Sequence, residues 1–318
     1  MGRMTSSTDP GTGLGTDPVP ALPAGLTTRP LRRGDSGIVF TLIAAQEQHD
    51  LGAVEIEEAD LVGDWARPSH DLAARSVAVL DGELLVGYAE LSGVDRADTA
   101  VLPSHRGRGT GTRLAWWLRD LGRRLGSPVI GMPVPEGGPG DRLLADLGYE
   151  VRWTSWVLQL PPGAEVPPRD LPAGYGVRTA TDADLRAAHD VLEDAFLEWS
   201  VRDRETFEDF RASLVERPGF EPWNLRVVTD DGGAVVGVAL VQLSNADVAY
   251  VARLAVRRDQ RGRGLAQVLL VDGFRLAREH GARVSELSTD SRTGALGLYR
   301  KVGMRTTATW VNRAVRLG

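Results

Sequence analysis

The chain of 318 residues contains no cysteine, which excludes disulfides, thiolate metal sites and a cysteine nucleophile. That absence fits a reducing interior, and nothing redox is indicated. There is no basic excess either: 37 Lys and Arg face 43 Asp and Glu, a formal charge of −6. A nucleic-acid surface would need a basic face, so no nucleic-acid partner is expected. No apolar run approaches the roughly 20 residues that cross a bilayer. Met1 to Pro23 is rich in Gly, Thr, Pro and Asp and has no signal-peptide core. A soluble, cytoplasmic protein without a membrane partner follows as the expectation. Lysine is confined to Lys301, a bias ascribed to genome composition rather than to a ligand. His49, His70, His105, His189 and His280 are scattered without ligand spacing, so no metal is expected.

What the chain does have is a phrase written twice. Arg106-Gly107-Arg108-Gly109-Thr110-Gly111 and Arg261-Gly262-Arg263-Gly264-Leu265-Ala266 each follow a β-like run and precede an amphipathic helix. An offset of 155 residues carries 106 onto 261, 109 onto 264 and 111 onto 266. Duplication is the simple explanation. The stretch 161–173 holds proline at a density that forbids helix and favours an extended linker. The chain then divides into a disordered tail, 1–24, a front half, 25–160, the linker, 161–173, and a rear half, 174–318.

Each half runs in the same order. An opening strand leads to a helix start, with Asp35 as a cap in front and Thr181 with Asp184 as a capping box behind. Paired strands follow, 76–80 with 84–91 and 225–228 with 235–243, joined by the glycine turns Asp81-Gly82 and Asp231-Gly232-Gly233. A further strand, 97–101 or 248–256, enters the repeated phrase. Leu114, Leu118, Leu121 and Leu125 then keep helical spacing, as do Leu265, Val268, Leu269 and Leu276. Each half closes with a strand, 154–160 or 307–314. The pattern predicts an α/β (α+β) fold: two tandem domains, each a mixed, mostly antiparallel sheet flanked by helices.

A glycine turn that opens a helix offers unpaired N–H groups and the positive end of the helix dipole, which suits a diphosphate. A P-loop would need Gly-Lys-Ser/Thr, and neither turn carries lysine. A Rossmann fingerprint would lie in the first βα unit, whereas these turns follow several antiparallel strands. Coenzyme A is the remaining choice.

On these residues each half resembles a Gcn5-related N-acetyltransferase (GNAT) domain, and the whole is similar to tandem members of that family. The rear half carries the likeness most fully, in Val251-Ala252-Arg253-Leu254-Ala255-Val256 before its turn and in Gly294 to Met304 after it. The resemblance implies acetyl-CoA as co-substrate. It implies that backbone groups of Leu254, Ala255 and Val256, freed where two strands part, meet the pantetheine amides. It also implies that amides of Arg261, Gly262, Arg263, Gly264, Leu265 and Ala266 hold the diphosphate. Tyr299 becomes the general acid that protonates the departing thiolate.

In the front half the counterparts Val101, Arg106, Gly107, Arg108, Gly109, Thr110 and Gly111 are candidates either for a second coenzyme site or for an inherited scaffold. The residue four before Gly148 is Leu144, where Tyr299 stands four before Gly303, so weak or no catalysis is expected in front. Glu90 reads as a solvent-facing strand residue in preference to a general base, and in the rear the base is left open between Asp290, a held water and none. Glu193, Asp194, Glu198, Asp203, Glu205, Glu208 and Asp209, with Phe196, Trp199, Phe207 and Phe210, read as a solvated amphipathic wall rather than a cation-attracting one. The functional expectation is acetylation of a primary amine on a small molecule by a monomer or homodimer. Two alternatives stand beside it: acetylation of a cysteinyl amine of the kind tandem mycothiol synthases perform, and a non-catalytic acyl-CoA sensor.

Overall fold

A computed structural model describes residues 21–245 and 247–318; the expected disordered tail, up to residue 20, lies outside them. The front half comprises β1 (Leu26–Arg29), α1 (Ser36–Asp50), α2 (Glu58–Ala66), the short α3 (Leu72–Arg75), β2 (Ser76–Asp81), β3 (Leu84–Leu91), β4 (Ala97–Val101), α4 (Thr110–Arg124), β5 (Val129–Pro135), α5 (Pro139–Asp146) and β6 (Glu150–Gln159). The rear half repeats the order with β7 (Gly176–Thr179), α6 (Leu185–Phe196), the short α7 (Phe207–Phe210), β8 (Leu225–Thr229), β9 (Val235–Ser244), β10 (Val248–Val256), α8 (Leu265–Glu279), β11 (Val284–Asp290), α9 (Leu296–Lys301) and β12 (Arg305–Arg316).

Local chemistry explains the shared starts. Arg29 forks onto Asp35 at 2.6 and 3.0 Å, and Arg178 forks onto Asp184 at 2.6 and 2.8 Å, so each opening strand is tied to the turn before its first helix. Thr181 and Asp184 form the reciprocal box read from sequence. Asp35 makes no cap bond to α1: it ends a short 3-10 turn with helical backbone angles, and its carboxylate turns back to accept the N–H of Arg32. Gly82 and Gly233, at φ +60° and +80°, turn the two hairpins.

β1 to β4 form one antiparallel sheet, and the remaining eight strands form another in the order β5-β12-β6-β11-β10-β9-β8-β7. The closing strands are exchanged. β12, from the rear half, lies between β5 and β6, and β6, from the front half, pairs with β11. Packing follows the exchange: Leu158 and Leu160 join Leu269 and Phe274 in the rear core, whereas Leu317 joins Leu118 and Ile130 in the front core. Sequence order had given each half its own last strand; the core that each strand's apolar face completes is across the boundary.

Helices cover both faces of each half's sheet. In front, α4 packs Leu114, Leu118 and Leu121 against Val77, Val79 and Ala89, while α1 and α2 bring Val39, Leu42 and Trp65 against Ala78 and Tyr88. β3 is therefore buried on both sides, which overturns the solvent-facing reading of Glu90. Its carboxylate, in a residue 4% exposed, accepts Trp65 Nε1 at 2.9 Å and lies 2.9 Å from His70 Nε2. The halves also meet where Arg217 pairs with Glu57 and Asp60, and where Asp209 accepts the N–H of Ser69.

Candidate active site

The two glycine turns are built alike. Gly107 and Gly109 sit at φ +73° and +89°, Gly262 and Gly264 at +78° and +84°, conformations that glycine adopts without penalty. Gly109 caps α4 and Gly264 caps α8, both in the left-handed region. The first backbone bonds within the helices start at Arg113 and Val268, which leaves the preceding amides directed beyond the helix ends. Such a run of amides with the helix dipole behind it fits a diphosphate.

The turn arginines have a task the sequence reading missed. Arg106 donates Nε to Val101 O at 3.3 Å and forks onto Asp50 at 2.7 and 2.8 Å. Arg261 does the same, with Nε to Val256 O at 3.0 Å and its fork on Glu198 at 2.8 and 2.7 Å. Each side chain thus ties the turn to the end of the strand and to the first helix, leaving the main chain to face a ligand. The Arg261 fork holds the Glu198 carboxyl below the usual carboxylate range. Carboxylates 56 and 63 residues away in sequence give no local signal of this pairing.

Beyond the turns the halves differ at the strand edge. β10 pairs with β11 only from Val248 to Val251, and among the described residues no strand pairs with that edge beyond it. Arg257 donates its N–H to Val236 O, so the alternation of an antiparallel ladder sends the Ala255 backbone toward β9 and those of Leu254 and Val256 toward the gap. In front, the one bridge toward β5 among the described residues is Arg96–Gly131, just before β4, and the corresponding outward N–H, that of Val101, is taken by Gln46 Oε1 at 3.0 Å.

Tyr299 lies in α9, 8% exposed, packed with the rear core. Its hydroxyl has no partner among the described residues, and burial pushes its pKa up to about 12. At neutral pH the phenol keeps its proton. Leu144, at the corresponding place in front, is buried in an apolar cluster. Asp290 is not free to act as a base: Arg292 takes both oxygens, at 3.2 and 2.6 Å, and in turn lies over Trp153 at 3.5 Å and Trp199 at 4.7 Å. Three of the seven carboxylates of the acidic wall are spent on arginines, Glu193 on Arg202, Asp194 on Arg204 and Glu198 on Arg261. Glu205 differs, since burial raises its carboxyl pKa while Arg253, on the open edge of β10, opposes the shift. Among the described residues no cluster suited to a metal occurs, and no helix is long and apolar enough to cross a membrane.

The acetyltransferase (GNAT) family model matches residues 41–135 and 185–304, one match in each half. A mycothiol acetyltransferase of Salinispora arenicola is 30% identical over 295 residues, covering 86% of this chain and 91% of that protein. One of Streptomyces coelicolor is 30% identical over 250 residues, covering 75% and 79%. The structure of a GCN5-related N-acetyltransferase from Sphaerobacter thermophilus superposes with a TM-score of 0.70 at 26% identity, over 93% of this chain and 97% of that one. A tandem GNAT protein from the clavulanic acid pathway shares the fold, with a TM-score of 0.69 at 22% identity over 92% and 99%. The chain belongs to the GNAT acetyltransferase family as a tandem member, and it is an acyltransferase.

Proposed function

We propose that the rear half transfers acetyl from acetyl-CoA to a primary amine of a small molecule, and that the front half is a scaffold without catalysis. The observation that carries this is the contrast at the parted strands. Among the described residues the rear edge at Leu254 and Val256 has no strand against it, and Tyr299 shares the rear core cluster with Val256, whereas the front edge is closed by Gln46 and has Leu144 in the phenol's place. Acetyl-CoA supplies the activated thioester. Amides from Gly262 to Ala266 hold its diphosphate, and the outward backbone of Leu254 and Val256 pairs with the pantetheine as a peptide pairs with a sheet edge. An N–H on that edge stabilises negative charge on the carbonyl oxygen as an amine attacks. As the C–S bond breaks, Tyr299 donates its Oη proton to the departing thiolate, while the attacking nitrogen releases a proton to solvent, from which the phenol is reprotonated.

The mycothiol acetyltransferases among the relatives make the amine of a mycothiol precursor the first acceptor to try. Thiol release from acetyl-CoA, followed across a panel of amines that includes a cysteinyl amine, tests the reading. Amine-dependent release supports it; coenzyme binding without release on any amine would favour a sensor.

A further inference from the structure

The proline-rich linker is bound to the rear half along α8, from its last turn at Arg278 to its phosphate end at Gln267. Val166 is buried in the rear core and Leu171 packs against it. Gln267 donates Nε2 to Pro167 O at 2.8 Å, on the first turn of α8, and Glu165 pairs with Arg278 at 3.1 Å. Just past the linker, Tyr175 donates its hydroxyl to Gln260, which enters the glycine turn. Between these anchors Arg169 lies on the turn itself: a Cβ built on Gly264 would fall within its side chain, with Nε, Cδ and Cζ as the nearest atoms. At Gly109, the counterpart in front, no described atom comes within 4 Å of the same position.

We infer that Arg169 is a coenzyme-binding residue, a cation delivered by the linker to the diphosphate held by the rear turn. The inference rests on the acetyl-CoA reading above. Arg257 and Arg261 are committed to Asp259 and Glu198, whereas Arg169, like Arg258 and Arg263 of the turn itself, is exposed and has no carboxylate partner among the described residues. Proline at 167, 168 and 172 restricts the backbone on either side, so little conformational freedom is lost when the guanidinium meets an anion. A planar fork suits two phosphate oxygens better than an ammonium does. The linker then does more than join the halves: it gives the rear turn a charge that the described part of the front turn lacks.

Calorimetric titration of the full chain with acetyl-CoA and with 3′-dephospho-acetyl-CoA, in the unaltered protein, Arg169→Gln and Arg169→Lys, tests this. Arg169→Gln should weaken both ligands about ten-fold, the scale of one charge-assisted hydrogen bond. Arg169→Lys should recover part of the loss. KM for acetyl-CoA should rise with kcat unchanged, and the melting temperature without ligand should not move, as befits an exposed side chain. Equal affinity in the glutamine variant overturns the inference, as does a loss confined to the ligand bearing the 3′-phosphate. If the unaltered chain binds neither ligand, the coenzyme reading itself fails, and this inference falls with it.

Discussion

Gln46 Oε1 accepts the main-chain N–H of Val101 at 3.0 Å, so the front half closes with its own side chain the edge that the rear half leaves without a strand at Val256. Gln46→Ala removes the acceptor and should cost about 1 kcal/mol, the scale of one hydrogen bond to a partly buried amide. Acetyl transfer should be unchanged, because the chemistry is assigned to the other half. Denaturant unfolding and a turnover assay together check this, and a large loss of turnover would speak against the assignment.

Tyr299→Phe should lower kcat by about 10²-fold or more and leave coenzyme affinity intact, since only the proton donor is lost. The pH dependence carries a sign. Burial holds the native phenol up to about 12 against an ordinary value near ~10, so the native state keeps a proton that the unfolded state has released between those values. The contribution of Tyr299 to stability is complete below pH ~10 and is lost as pH rises toward 12. No loss of the donor should appear in the kcat profile below pH ~10, and a falling limb near 8 that disappears in the phenylalanine variant would contradict the account.

Arg178 and Asp184 make an acid-side prediction of opposite sign. Hydrogen bonds from Arg178 hold the Asp184 carboxyl well below the usual carboxylate range, as those from Arg29 hold Asp35. Stability from these pairs is present above the ordinary aspartate value and lost as pH falls through the lowered ones. Asp184→Asn should therefore reduce stability at pH 7 and flatten its decline toward pH 3, as read by urea unfolding at the two values.

Leu158 and Leu317 each complete the core of the other half. Residues 21–160 and 161–318 expressed separately should fail to fold, and co-expression should restore a soluble pair. Leu158→Ala, at a fully buried position, should cost about 2–5 kcal/mol. Circular dichroism of the separate halves decides it, with two independently folded halves as the contrary result.

Much of this was legible because duplicated local chemistry repeats in register. The glycine turns, the hairpins and the Thr181–Asp184 box are set by residues a few positions apart, and the structure shows each of them. The 3.6-residue periodicity likewise located α4 and α8. What escaped was set by distance in the chain. Glu90 looked solvent-facing because alternation cannot reveal that helices cover both faces of β3. The exchange of β6 and β12 depends on which core each strand completes, and both strands read alike as isolated segments. Arg106 and Arg261 were singled out for their amides, and their side-chain partners, Asp50 and Glu198, lie 56 and 63 residues away. Arg169 sits in a stretch whose composition announces only a linker.

The most direct test introduces a carboxylate into each turn at an open, left-handed glycine, Gly262→Glu behind and Gly107→Glu in front, and titrates acetyl-CoA by calorimetry. Backbone strain is matched, since both positions have similar φ and empty space where a Cβ would go. One coenzyme per chain, with binding abolished by the rear substitution and retained with the front one, is the predicted result. Two coenzymes per chain, or binding that survives Gly262→Glu and is lost with Gly107→Glu, would contradict it.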